Sequence, residues 1–309
     1  VRIGVWMDSP LHMKAETETT AFLMWSASAR GHYLYVFDSH DFDGRGPRVR
    51  AFPVKPMKTD SIPPYWEYVK SCLALAPIAV DLTELDVVWY RKNPPLDRER
   101  VETLTERHRL PFTFNNFEGL LRAADKRSIL DFPELTPKSR IIADGAELRA
   151  RMPEFSGKVV VKPLDGFGGW GIELHEAEAL AKVRTNGPFP FLVQEYLPEV
   201  EREGDVRILT LRGEIIGAMR RLPQAGEFRA NVAQGGVVLK HEPTPRERDA
   251  CRMLAEPFRK RGLHFAGLDF VQGKLIEINC VSPGGIPRIN RLNGSALQER
   301  VLDFIEAEI

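Results

Sequence analysis

Little in this chain points to a disulfide or metal scaffold. Three of its 309 residues are cysteines, Cys72, Cys251 and Cys280. No Cys-x-x-Cys and no Cys/His ligand spacing appears, and an odd number makes no disulfide framework, so reduced thiols are expected. Net charge is missing as well, with 43 basic against 43 acidic side chains. Without a basic excess there is no electrostatic footprint for nucleic acid or an anionic membrane, and neither is expected as a partner. Long apolar runs are also lacking. Cys72–Val80 is broken by Pro77, and a membrane helix needs about 20 apolar residues. Asp8 interrupts Val1–Met7 too early for a signal peptide. These absences predict a cytoplasmic protein.

What is present is ordinary globular material, 43% hydrophobic and 28% charged. At about 150 residues per domain the length suggests two domains, or one with an insertion. Val1–Met7 and Tyr33–Phe37 read as strands around a helix over Glu16–Arg30, a β-α-β start that implies parallel pairing. A proline-rich stretch from Pro47 to Pro64 reads as a long loop with short strands, and Asp86–Tyr90 and Pro111–Phe114 as further strands. Residues 1–118 thus form a small open α/β domain. Glu118–Leu130 reads as one helix carrying Lys126. Beyond it, Val206–Leu211 with Ile215–Arg220, and Phe265–Val271 with Leu275–Ile278, read as antiparallel hairpins. Between them Pro245–Arg261 is an amphipathic helix stopped by Gly262.

Two segments carry chemistry. Lys162-Pro-Leu-Asp-Gly-Phe-Gly-Gly-Trp-Gly171 contains the spacing Gly-x-Gly-x-x-Gly. A dinucleotide site needs a helix to open immediately afterwards; here Ile172–Leu174 continues as a strand. A kinase reading fails because the lysine precedes the glycines and neither His-Arg-Asp nor Asp-Phe-Gly follows. A β-turn-β flap remains, either a plain hairpin or a cover whose backbone N–H groups meet phosphates. In the second segment a turn centred on Gly273 sets Asp269 opposite Glu277, with Asn279 on the same face and Leu268, Phe270, Ile276 and Ile278 on the other. Facing carboxylates repel. The hairpin is therefore either a solvated polar edge or a cation site whose hard oxygen donors suit Mg²⁺. On this reading Asp269→Asn and Glu277→Gln relieve a repulsion and leave the metal-free fold as stable or more so.

The order of these pieces resembles the ATP-grasp ligases, and most of all the bacterial glutathione synthetase family. The likeness runs from Gly4-Val5-Trp6-Met7-Asp8 through Arg91-Lys92-Asn93-Pro94-Pro95, the glycine loop, Gln194-Glu195-Tyr196-Leu197-Pro198, Asp205-Val206-Arg207, Pro223–Asn231 and Gly267-Leu268-Asp269 to Glu277-Ile278-Asn279 with Ser282-Pro283. It implies an ATP-grasp fold, α/β with α+β subdomains clasping ATP. The units would be an N-terminal α/β domain (1–118), a central lid subdomain (119–193) and a C-terminal subdomain with the metal site (194–309). It further implies that Lys126 and Lys162 contact ATP phosphates under a lid of Gly166, Phe167, Gly168, Gly169 and Gly171. Glu195, Tyr196 and Leu197 would meet the adenine, and Asp205 the ribose. Asp269, Glu277 and Asn279 would hold two Mg²⁺ ions, with Mn²⁺ as an alternative. Arg207, Arg229 and Asn231 would face the transferred phosphoryl group, and Ser282, Gly284 and Gly285 would receive substrate.

The reaction implied is ATP-driven ligation of a carboxylate to an amine through an acyl phosphate, with γ-glutamylcysteine and glycine as small-molecule partners. A homo-oligomer is compatible with it. The chain departs from the family at Asn93, at Ala225 and at Gly284-Gly285, which displaces Arg288 by one position. These changes lie on the substrate side, so a ligase for another acid and amine, or an ATP-binding regulator without turnover, stays open.

Overall fold

A computed structural model describes residues 1–183, 189–224, 226–230 and 235–309. Among these residues three sheets form. The first contains β1 (Arg2–Trp6), β2 (Tyr33–Phe37), β3 (Arg48–Val54), β4 (Ile78–Asp81), β5 (Val87–Tyr90) and β6 (Phe112–Phe114), in the order β4-β3-β2-β1-β5-β6. β1 pairs in parallel with β2 and β5, and β5 with β6, as the β-α-β start requires. β3 and β4 add antiparallel strands at one edge. The expected long loop is partly helix, Ile62–Leu73. Pro63 and Pro64 sit in its first turn, where a missing N–H costs nothing.

The second sheet contains β7 (Ser139–Ile142), β8 (Lys158–Pro163), β9 (Glu173–Glu176) and β10 (Phe191–Glu195), all antiparallel in the order β7-β10-β8-β9. The third contains β11 (Asp205–Leu211), β12 (Glu214–Leu222), β13 (Val237–Lys240), β14 (Phe265–Val271) and β15 (Lys274–Asn279), antiparallel in the order β13-β12-β11-β14-β15. The amphipathic helix runs over Pro245–Lys260 and buries Ala250, Cys251, Leu254 and Phe258. These pack with Ile208, Leu268, Phe270 and Ile278, and the same apolar cluster continues to Trp6, Val88, Tyr90 and Phe117 of the N-terminal part. A second cluster joins the helix Thr19–Ala29 to the C-terminal helices Ile286–Asn293 and Leu297–Ala307. The chain's two ends therefore share core.

The single helix expected over Glu118–Leu130 is two elements. Phe117–Ala123 is α-helical, and Lys126–Asp131 is a 3₁₀ segment whose start is capped by the Asp125 side chain accepting from the Arg127 N–H. The break turns Lys126 inward, its own N–H donating to Leu164 O. Just before, Asn115 bolts the first sheet to the third. Its Nδ2 donates to Phe265 O and Cys280 O, and its Oδ1 accepts from Phe265 N. Asn115 is 4% exposed, so these backbone groups have no water to fall back on. Asn115→Ala should cost of order 3 kcal/mol, and Asn115→Asp more, because it turns a carboxylate towards two carbonyls. Urea titration of the two variants measures it; an unchanged midpoint would show the bolt to be idle.

Candidate active site

β14 and β15 join through Gln272-Gly273, both left-handed at φ 48° and 71°, as a two-residue hairpin turn demands. That turn alone would pair Asp269 with Ile276. A bulge between Asp269 and Phe270 slips the ladder by one, so Asp269 faces Glu277 and Gly267 faces Asn279. The register expected from sequence is right, but the three-residue turn behind it is not. The difference shows at Ile276, which lines a slot on the site side while Leu275 goes into the core.

Across the third sheet the register also sets Arg207 opposite Asp269 and Asp205 opposite Arg221. Arg207 Nε and Nη2 donate to the two oxygens of Asp269 at 2.5 and 2.7 Å. Arg221 forks onto Asp205 at 2.6 and 2.8 Å and reaches Asp269 Oδ1 at 3.1 Å. Burial alone would raise the Asp269 carboxyl; the Arg207 and Arg221 guanidiniums outweigh it and hold the group below the usual carboxylate range. The cations called for by the facing carboxylates are thus built in. Lys126 supplies another, with Nζ 3.3 Å from Glu277 Oε1 and bonded to Gly166 O. The expectation that neutralising Asp269 relieves a repulsion is overturned.

Lys162, at the end of β8, is buried, donating to Gln194 Oε1 at 2.7 Å and Ile276 O at 3.2 Å. Burial pushes its ammonium down to about 8, against the pull of Glu277. Two cavities meet here. A polar one of about 240 Å³ is lined by Lys126, Gly166, Phe167, Gly168, Arg207, Arg221, Glu277, Asn279, Ser282, Gly284 and Gly285, together with Glu18, Arg91, Asn93 and Arg288. A narrower slot of about 70 Å³ is lined by Val160, Lys162, Glu195, Tyr196, Leu197, Asp205, Phe228, Arg229, Val271 and Ile276. Gly168, Gly169 and Gly171 all have positive φ, but Gly171 faces an outer groove with Pro163 and Phe189. Arg229 stands at the slot, its guanidinium paired with Glu227 at 2.6 Å, away from the polar cavity where a phosphoryl role would put it. Asn231 lies outside the described residues.

Among the described residues no group of three or more His, Cys, Asp or Glu gathers for a metal. The candidate set is instead two carboxylates and an amide. Asn279 Nδ2 donates to Asp269 Oδ2 at 3.3 Å, which leaves its amide oxygen for a cation, whereas the four lone-pair sites of Asp269 are taken by Arg207, Arg221 and Asn279 and those of Glu277 stay open. Glu277 and Asn279 thus offer open hard donors to the polar cavity and fit Mg²⁺, and Asp269 would join them only by releasing one of its present partners. Cys280, next in the chain, is inert: burial pushes its thiol up to about 12, and it donates to Ala123 O.

Several cavity residues were not singled out from the sequence. Arg221 carries no local mark, and the β11–β12 bulge between Leu209 and Thr210 brings it opposite Asp205. Arg91 is buried, donating to Thr20 Oγ1 and Pro283 O. Ser282 Oγ donates back to Arg91 O, Thr19 Oγ1 accepts the Gly285 and Ile286 N–H groups, and Gly284 O accepts from Arg207. Glu18, raised by burial, faces Arg91 and Arg288. Thr19 carries no local mark, because its partners lie 266 and 267 positions further along the chain.

A glycine flap over a row of cations on an antiparallel sheet, beside a narrow apolar slot, is the arrangement of the ATP-grasp fold. Solved structures share that fold: D-cycloserine synthetase DcsG (TM-score 0.64, 14% identity, 99% of this chain and 100% of that one) and D-alanyl-alanine synthetase A from Vibrio cholerae (TM-score 0.62, 11% identity, 99% and 97%). Sequence comparison is more specific. Residues 1–112 match the N-terminal domain of prokaryotic glutathione synthetase, and residues 125–294 its ATP-grasp domain. Similar proteins include the glutathione synthetases of Rhodopseudomonas palustris, 32% identical over 100% of this chain and 99% of that one, and of Thermosynechococcus vestitus, 33% over 93% and 94%. The chain belongs to the prokaryotic glutathione synthetase family, and so to the ATP-dependent ligases that form an amide bond.

Removing Asp269 leaves two buried guanidiniums short of a partner. Asp269→Asn should lose about 3 kcal/mol of stability in chelator, whereas Glu277→Gln, at a half-buried position, stays within about 1 kcal/mol. Equal melts for parent and Asp269→Asn would contradict this. Lys162 generates a second outcome. Its depressed value means that the free protein sheds this proton as pH rises through about 8, and an arriving polyphosphate restores it. Calorimetry in two buffers should show nearly one proton taken up with ATP near pH 9 and little near pH 7. Lys162→Arg abolishes that uptake.

Proposed function

We propose that this ligase joins γ-glutamylcysteine to glycine, with ATP as phosphoryl donor. The observation that carries the reading is the cation row, Lys126, Lys162, Arg207 and Arg221, around the junction of the two cavities. The base would lie in the apolar slot against Tyr196 and Leu197, with the ribose near Asp205 and the phosphates between Lys126 and Lys162. Mg²⁺ held by Asp269, Glu277 and Asn279, as two ions or with Mn²⁺ in its place, would neutralise phosphate charge. Arg207 faces the γ-phosphoryl group, a role this reading extends to Asn231 but not to Arg229, whose guanidinium is held by Glu227 at the slot. These residues mostly position and neutralise, which is what such a transfer needs.

The cysteinyl carboxylate oxygen bonds to the γ-phosphorus as the bond to the ADP oxygen breaks. The glycine nitrogen then adds to the acyl carbon, loses a proton and expels phosphate. Ser282, Gly284 and Gly285 border the acyl site, and the flap from Gly166 to Gly171 keeps water off the acyl phosphate. The units 1–118, 119–193 and 194–309 serve as substrate shelf, lid and metal-bearing base. A cytoplasmic, homo-oligomeric protein is part of the same reading.

A specific observation favours a second one, a ligase for a larger amine. A Cβ placed on Gly284 would meet no heavy atom within 4 Å, so there is room beyond what glycine needs. ADP release with γ-glutamylcysteine and a panel of amino acids separates the two. Glycine should be preferred, and Gly284→Thr should leave glycine turnover within about threefold while depressing larger amines roughly tenfold or more. ADP release with a larger amine alone would establish the second reading. No release with any amine, despite ATP binding, would overturn both.

A further inference from the structure

Joining an amino acid to an acyl phosphate strips two protons from its nitrogen, and one must go before any bond forms. The amino acid reaches the site as an ammonium, which donates hydrogen bonds and has no lone pair for the acyl carbon. A group in the polar cavity has to take that proton. Among the described residues four carboxylates line the cavity: Glu18, Asp125, Asp165 and Glu277. Glu277 is engaged by Lys126 and belongs to the cation site. Asp125 accepts from the Arg127 N–H and guanidinium. Asp165 is exposed on the flap. Glu18 remains.

The chain on either side of Glu18 is fastened down while its own side chain is left over. Thr17 O accepts from Arg288 at 3.4 Å, and Thr20 Oγ1 from Arg91 at 3.1 Å. Thr19 Oγ1 accepts the Gly285 and Ile286 N–H groups at 3.0 and 3.2 Å. Glu18 is thus held beside the segment that starts at Gly284. It stands at the N-cap of the helix Thr19–Ala29, yet its carboxylate caps nothing, and it makes no hydrogen bond or ion pair with the described residues. The residue is half-buried in the cavity wall. Burial raises its carboxyl against the pull of Arg91, just after β5, and Arg288, on the helix Ile286–Asn293. A carboxylate raised in this way is a stronger base than a solvated one.

We propose that Glu18 is the proton acceptor for the attacking amine, working in the cavity it shares with Gly284 and Gly285. This rests on the ligase reading above. The glycine ammonium gives one proton to a Glu18 oxygen, and the freed electron pair forms the bond to the acyl carbon. The bond from that carbon to the phosphate oxygen then breaks, and phosphate leaves with the electron pair and the nitrogen's second proton. The third proton stays as the amide N–H of the product.

The test offers two acceptors, with ATP and γ-glutamylcysteine, to the full-length parent, Glu18→Gln and Glu18→Asp. Glycine arrives charged and needs a base. Hydroxylamine is largely uncharged at neutral pH, attacks without one and traps the acyl phosphate as a hydroxamate. Glu18→Gln should lower kcat with glycine about a hundredfold. It should leave the hydroxamate rate, and KM for ATP and γ-glutamylcysteine, within about threefold. Glu18→Asp should turn glycine over at least tenfold faster than Glu18→Gln. Glycine turnover in Glu18→Gln within threefold of the parent overturns the proposal. So does an equal loss with both acceptors, which would mean that the side chain only holds the segment or the acid substrate, and so does an aspartate no better than glutamine. A parent that releases no ADP with γ-glutamylcysteine and either acceptor sinks the ligase reading, and Glu18's role with it. An active parent matched by its glutamine variant sinks Glu18 alone.

Discussion

The buried carboxylate of Asp269, gripped by Arg207 and Arg221, is the interaction on which the rest of the site depends. At 1% exposure a lone carboxylate would neutralise itself, and two unpaired guanidiniums would be costlier still. Three adjacent strands place these groups in register, so the sheet cannot slip by one residue without burying bare charge. Gly267 belongs to the same constraint. A Cβ there would sit 3.3 Å from Arg207 Cδ, so glycine is the residue that lets the guanidinium lie flat across β14.

From that row the site extends in two directions of opposite chemistry. Towards the N-terminal part it becomes polar, because Thr19 and Arg91 lace the segment from Ser282 to Ile286 to the first sheet. Towards the second sheet it becomes apolar, because Val160 and Ile276 approach Tyr196 across the gap between sheets. A triphosphate with a base at one end and a reacting carboxylate at the other needs such a gradient. Lys162 stands at the changeover, its charge weakened by burial and ready to be strengthened by an anion.

Much of this was legible along the chain. The glycine flap, the alternation in the hairpins, the β-α-β start and the order of Lys162, Glu195, Arg207, Asp269, Glu277 and Asn279 are local or nearly local, and hydrophobic period and turn chemistry report such features directly. The resemblance to glutathione synthetases rests on those same pieces. Local rules mislead at two places: Pro63 and Pro64, in a stretch that reads as loop, open a helix, and the bulge that turns Ile276 to the site side has no signal of its own.

What the sequence by itself determined is therefore the kind of chemistry, since an oxygen-donor hairpin and a lysine beside a glycine flap are written within short stretches. Tertiary structure alone decided how charge is balanced. Arg221 becomes a site residue through a bulge in another hairpin, and Arg91, Glu18 and Thr19 become site residues because the N-terminal part packs against a segment 191 to 267 positions further on. Coulomb pairing and burial depend on distance in space, and only the packed sheets set those distances.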